Sequence, residues 1–336
     1  LIPAARANAG VEKRHSKTKT EMMTRARRLP DLVADIAARL KPAATSLIIT
    51  IYGDSISQHG GAAWLGSLVR LATPAGLNES AIRTAAFRLA SEGWLVAEQI
   101  GRRSFYRLTE SGWHRCEAVH GRIFFPPQEH WDKKWTLVSL LPNAKDTALR
   151  DALRADLHWL GFGQLTSGVL LHPTPDEGVL RQTIAESGLA ANVIVMRAQI
   201  EEWIAPSAVR QTLNTCWDLK RIAAGYSDFL AMFRPIAQAL QETASPDPAL
   251  SFTIRTLVIH AFRRVQLRDP KLPAELLPPD WPGNAARLLC RNLYKRVEEA
   301  AEQHLASELE TADGRAPEAL PIYYQRFGGL RDTAAD

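Results

Sequence analysis

Apolar residues recur at helical intervals in DLVADIAARL (31–40), at Leu32, Ile36 and Leu40, and Pro42 closes the run. TSLIITIYGDSISQHGG (45–61) carries Leu47, Ile48, Ile51 and Ile56 behind a possible Thr45 cap and stops at Gly60-Gly61. AAWLGSLVRLA (62–72) reads as a short helix and TPAGL (73–77) as a turn. Asn78 can cap the helix that follows, which should run to Glu92 and end at Gly93. There Ile82, Ala85, Ala86 and Leu89 fall at i, i+3, i+4 and i+7 and form a core face, leaving Ser80, Arg83, Thr84, Phe87, Arg88 and Ser91 outside. WLVAEQI (94–100) and SFYRLT (104–109) read as a hairpin around Gly101-Arg102-Arg103.

Three short helices followed by such a hairpin predict a winged helix-turn-helix over residues 29–120. A major groove is wide enough to admit the third helix, and the hairpin tip would bring Arg102 and Arg103 to the adjacent backbone or minor groove. Arg83 and Arg88 can donate to guanine or phosphate, and Ser80 and Thr84 can donate or accept. Phe87 suits either a thymine methyl or a packing contact in a dimer. A solvated helix face with ordinary charges is the plainer alternative, since Glu79 and Glu92 share it.

The pattern changes after residue 130. KWTLVSLL (134–141) reads as a strand, DTALRDALRADLHWL as a helix started by Asn143 or Asp146, and GQLTSGVLLHP (163–173) as two short strands broken at Ser167-Gly168. A helix over 175–187 and a strand over 192–200 complete β-α-β-β-α-β, a ferredoxin-like domain over 130–202. Residues 206–325 read as a helical domain: two helices within 207–240, one over 249–267, the proline-rich loop LPAELLPPDWPG (272–283), and a long helix over 284–309. The fold class expected is therefore α+β.

Charge alters this picture only at the start. Residues 1–28 hold eight Lys/Arg against two Asp/Glu, about +6, so the remainder of this chain of net charge +5 is nearly neutral. The first 28 residues read as a disordered basic arm that would add non-specific phosphate contact, with Met22 or Met23 as an alternative start. No apolar run approaches 18 residues, so no membrane span is expected. Cys116, Cys216 and Cys290 stand far apart, which argues against a zinc site or disulfide framework and for the reducing cytoplasm. No GxSxG, HExxH, P-loop or GxGxxG pattern marks an enzyme, and no metal or cofactor is expected.

IRTAAFRLASEGWL, GRRSFYRLTESG, WDKKWTLVSLLP, LGFGQLTSGVLLHP and LPAELLPPDWPGNAARLL, in that order, resemble the PaaX family of transcriptional repressors, regulators of bacterial phenylacetic acid degradation. The resemblance spans about residues 45–305. It implies a homodimer that binds a palindromic operator in double-stranded DNA and leaves when phenylacetyl-CoA or a related aryl-CoA accumulates. An acyl-CoA needs cations beside an aromatic-lined cavity. Arg255, His260, Arg263 and Arg264 share one expected helix, and Arg263 with Trp217 is the pair chosen as the effector contact.

The central domain also resembles CRISPR-associated metal-dependent nucleases, which gives the alternative function: a nuclease docked by a winged helix. Those enzymes hold a metal with an Asp at the end of the first strand. Here that strand runs out as Leu140-Leu141-Pro142-Asn143, without a carboxylate, and a hard cation prefers charged oxygen ligands. A third alternative is a protein-binding module, against which the arginines of the hairpin argue.

Overall fold

The computed structural model describes residues 28–125, 131–141, 147–201 and 203–330. The basic arm up to residue 27 and the start of the helix at Asn143 or Asp146 lie outside them. Helices α1 (Leu29–Leu40) and α2 (Ala44–Asp54) lead into a 3-10 turn, Ile56–His59. Next come β1 (Ala62–Trp64), α3 (Leu65–Ala72), α4 (Glu79–Ser91), β2 (Leu95–Ile100), β3 (Arg103–Leu108) and α5 (Glu110–Phe124). The first three residues of the helix expected over 62–72 are instead a strand. β1 pairs antiparallel with β3, Trp64 opposite Phe105, so the hairpin becomes a sheet of order β1-β3-β2. A three-residue strand carries no alternation to read; its partner more than 40 residues away decides its state.

A four-stranded antiparallel sheet follows: β4 (Lys134–Leu140), β5 (Gly163–Thr166), β6 (Val169–His172) and β7 (Val193–Gln199), in the order β5-β6-β4-β7. Helices α6 (Thr147–Trp159) and α7 (Glu177–Glu186) bury Leu153, Leu157 and Leu180 against Val138, Leu140 and Leu170 in a separate small core. Four helices follow, α8 (Pro206–Cys216), α9 (Leu219–Gln241), α10 (Pro248–Gln266) and α11 (Gly283–Glu308). Past them lie two elements the sequence did not announce, a small hairpin, β8 (Glu310–Thr311) with β9 (Gly314–Arg315), and a 3-10 segment, Pro321–Gly328.

One hydrophobic core unites the N-terminal helices with the C-terminal ones, running from Val33 and Ile48 through Phe229, Phe262 and Tyr294 to Phe327. At its centre sits charge. Asp54, buried at the end of α2, accepts from Arg326 at 3.1 Å and faces Arg255 at 3.3 Å; both guanidiniums are fully buried. Arg326 also donates to the Asp54 carbonyl, to Tyr294 Oη and to His120 Nε2, and stacks on Phe124 at 4.1 Å. Arg255 reaches Glu302 at 2.5 Å, Tyr323 Oη and Ser55 Oγ. Burial alone would raise the Glu302 carboxyl, but Arg255 and then His59 hold it at about 2. Arg326 lies one residue beyond the boundary at 325 expected for the helical domain, yet its phenolic, imidazole and carboxylate partners come from α2, α5 and α11.

Breaking a buried pair leaves the partner charge uncompensated. Arg326→Met should therefore lower the unfolding free energy by about 3–5 kcal/mol in urea denaturation. A loss of under ~1 kcal/mol, the scale of an exposed pair, would show that Arg255 alone satisfies Asp54.

Candidate nucleic-acid interface

Helix α4 is set by its cap and one face. The Asn78 side chain accepts from the Ala81 N–H at 2.8 Å, and Ile82, Ala85, Ala86 and Leu89 are buried. This turns Ser80, Arg83, Thr84, Phe87 and Arg88 to the exterior, with Phe87 69% exposed, high for an aromatic with no apolar cover. Arg83 pairs with Glu79 at 2.5 Å and Arg88 with Glu92 at 2.7 Å. The Glu92 hydrogen bond raises the Arg88 pKa. Both are exposed i,i+4 pairs, which contribute little and give way readily to a stronger anion.

The two arginines of the hairpin tip are not equivalent. Gly101 (φ 61°) opens the two-residue turn between Ile100 and Arg103, a position where a glycine gives strands of natural twist a tight connection. Arg102, the second turn residue, is exposed and has no ion pair among the described residues. Arg103 is folded back: its guanidinium lies 4.1 Å over the Trp64 ring and donates to Glu310 at 2.8 Å. Glu310, at the start of β8, is shared with Arg70 at 3.1 Å, and Arg103 holds its carboxyl below the usual range. Trp64 Nε1 donates to the Thr311 carbonyl, so β8 covers the outer face of the three-stranded sheet. Nothing near residue 103 announces this clasp; its partner stands 207 positions away.

The structure does not bring Arg263 and Trp217 together. Arg263 turns toward α2, donating to the Ser46 carbonyl and hydroxyl at 3.1 and 3.0 Å, and lines a small apolar cavity beside Cys116. Trp217 packs on Gly163, where a Cβ would lie 2.6 Å from the indole, and donates to the Gly161 carbonyl at 2.9 Å. Its neighbours in a larger cleft are Arg221, Arg264 and Arg268. Adjacent residues on α10 point different ways, and sequence spacing alone did not say which arginine faces the tryptophan. Arg255 and His260 are both structural: Arg255 belongs to the buried charge network, and His260 Nδ1 meets Thr50 Oγ1 at 3.0 Å. Among the described residues no cluster of three or more His, Cys, Asp or Glu is placed to hold a metal.

With these parts in place, a fold of mixed helix and sheet carries an exposed cationic helix beside a basic hairpin, features of a nucleic-acid-binding regulator. Residues 43–112 match the family described as PaaX-like protein, 128–218 the PaaX protein central Cas2-like domain, and 217–307 the PaaX-like protein C-terminal domain. The chain is 41% identical over 287 residues to the transcriptional repressor PaaX of Escherichia coli strain K12, covering 85% of this chain and 90% of that one. It therefore belongs to the PaaX family. A solved structure, an uncharacterised protein from Mycobacterium tuberculosis, is similar at 26% identity and a TM-score of 0.51, over 77% of this chain and 98% of that one.

Glu310→Gln would release Arg103 from its carboxylate. Freed, Arg103 presents its charge at the hairpin tip, so the variant should elute from a phosphocellulose column at higher salt than Glu318→Gln, an exposed substitution that makes the same change in net charge. Equal elution of the two variants would mean that Trp64 alone keeps Arg103 folded back.

Proposed function

We propose that this protein is a transcriptional repressor of a phenylacetate-type catabolic operon and acts by binding operator DNA. The observation that carries the reading is the 41% identity to a PaaX repressor across nearly its whole length. Residues 29–120 serve as a winged helix-turn-helix: α4 enters the major groove with Ser80, Arg83, Thr84, Phe87 and Arg88, and the hairpin sets Arg102 on the backbone, with Arg103 joining when its clasp opens. Residues 130–202 form a ferredoxin-like unit, consistent with the strand order β5-β6-β4-β7, and 206–325 the helical unit. The protein is a regulator rather than an enzyme, requires no cofactor, and works in the cytoplasm. Among the described residues no helix is long and apolar enough to cross a membrane.

The repressor works as a homodimer, which a palindromic operator requires. Among the described residues β7 is an edge strand with β4 as its one neighbour in the sheet, and Ile194, Val195, Met196 and Ile200 along and beyond it are more than a third exposed. An open, apolar edge is self-complementary to a second copy, paired antiparallel about a two-fold axis. Met196→Asp should shift sedimentation from dimer toward monomer; a fully dimeric variant would move the interface elsewhere.

Release follows binding of an aryl-CoA such as phenylacetyl-CoA, which must favour the DNA-incompetent state to act at all. Fluorescence-anisotropy titration of the operon promoter tests the interface. Arg83→Ala should cost about 1–3 kcal/mol if the side chain reads a base, and Arg102→Ala should reduce the salt slope by about one phosphate contact. Parental affinity in the first and a parental slope in the second would remove those residues from the interface.

A further inference from the structure

We propose that the aryl-CoA binds in the cleft where the three parts of the chain meet, gripped by Arg221, Arg264 and Arg268. This assignment rests on the repressor reading above and gives its effector a place. The cleft measures about 580 Å³, within the range of small-molecule sites. α9, α10 and the turn that follows α10 form most of its wall. Leu40 of α1 and Arg122 of α5 reach it from the N-terminal part, and His158 and Phe162 from the central one.

Its chemistry is divided. Arg221, Arg264 and Arg268 are exposed, and their guanidiniums have no hydrogen bond or ion pair among the described residues. The acidic groups of the wall are Asp218, Asp228 and Asp269. Asp218 caps α9 by accepting from the Arg221 N–H at 3.0 Å, and Asp269 accepts from Tyr226 Oη and the Lys271 N–H. Asp228 is the acidic residue facing the three arginines without such a task. Arg122 is already used, donating to the carbonyls of Trp159 and Asp269 at 3.0 and 2.8 Å, and so shapes the wall. Deeper in, Trp217, Ile222, Phe229 and Met232 offer an apolar lining. Unpaired guanidiniums beside buried aromatic surface suit one molecule that carries several phosphates and an apolar acyl group.

The position explains how such a ligand would be felt. An occupant touching α1, α5, the central sheet's flank and α9–α10 at once is sensitive to how these parts are set against each other. Any preference for one setting shifts the population of the whole molecule toward it.

Isothermal titration calorimetry of the full chain without DNA tests the site, using phenylacetyl-CoA, free CoA and phenylacetate in parallel. The thioester should bind, and Arg264→Ala/Arg268→Ala should weaken it by about tenfold or more, while Arg234→Ala, exposed on α9 outside the cleft, leaves it unchanged. Met232→Trp, which fills the apolar end, should weaken the thioester more than free CoA. Parental thioester affinity in both cleft variants overturns the site. Free CoA binding as tightly as the thioester overturns the acyl pocket. Operator affinity, measured on the same samples, separates the two readings. An intact operator complex with no thioester binding removes this inference and leaves the repressor. Arginine-dependent thioester binding without operator affinity keeps the site and removes the repressor.

Discussion

A single carboxylate placed between two buried guanidiniums holds the N-terminal and C-terminal parts of this protein in one body. Asp54 ends α2, Arg255 comes from the middle of α10, and Arg326 from a 3-10 segment near the end of the described chain. None of the three charges could remain in the core alone, because each would lose its hydration without compensation. Together, and with Tyr294, Tyr323, Glu302 and His120 supplying further hydrogen bonds, they fix the register of elements that hydrophobic contact alone would leave free to slide. The exposed, arginine-bearing helix α4 packs on α2, so its setting is tied to the same anchor.

The local grammar of the chain was legible wherever a pattern was long enough to repeat. The Asn78 cap, the Ile82–Leu89 face, the Gly101 turn and the break at Ser167-Gly168 all depend on residues within a few positions of one another. What escaped depended on partners far along the chain. β1 exists because β3 needs an edge neighbour; the clasp on Arg103 exists because Glu310 arrives from beyond α11. Arg263 and Arg264 differ by one position and about 100° of helix, and only packing against Ser46 decides that the first turns inward. The family likeness supplied the class of the protein, but it could not choose between neighbouring arginines.

The hairpin and the cleft stand in a common relation to that core. Arg103 is held by Trp64 and Glu310, the latter rising directly from the end of α11. α11 is also the helix that packs most extensively on α10, whose Arg264 faces the cleft. A shift of α10 and α11 has a physical path to the basic turn through contiguous packed elements, without requiring the central sheet to deform.

The 272-residue separation between Asp54 and Arg326 has a consequence for how the molecule is made. On the ribosome, α2 emerges early, with a carboxylate and a set of apolar residues that have no finished partner. The core that covers them cannot close until the last described segment has left the exit tunnel. The N-terminal part thus reaches its final packing only once a segment 272 residues beyond Asp54 has been made.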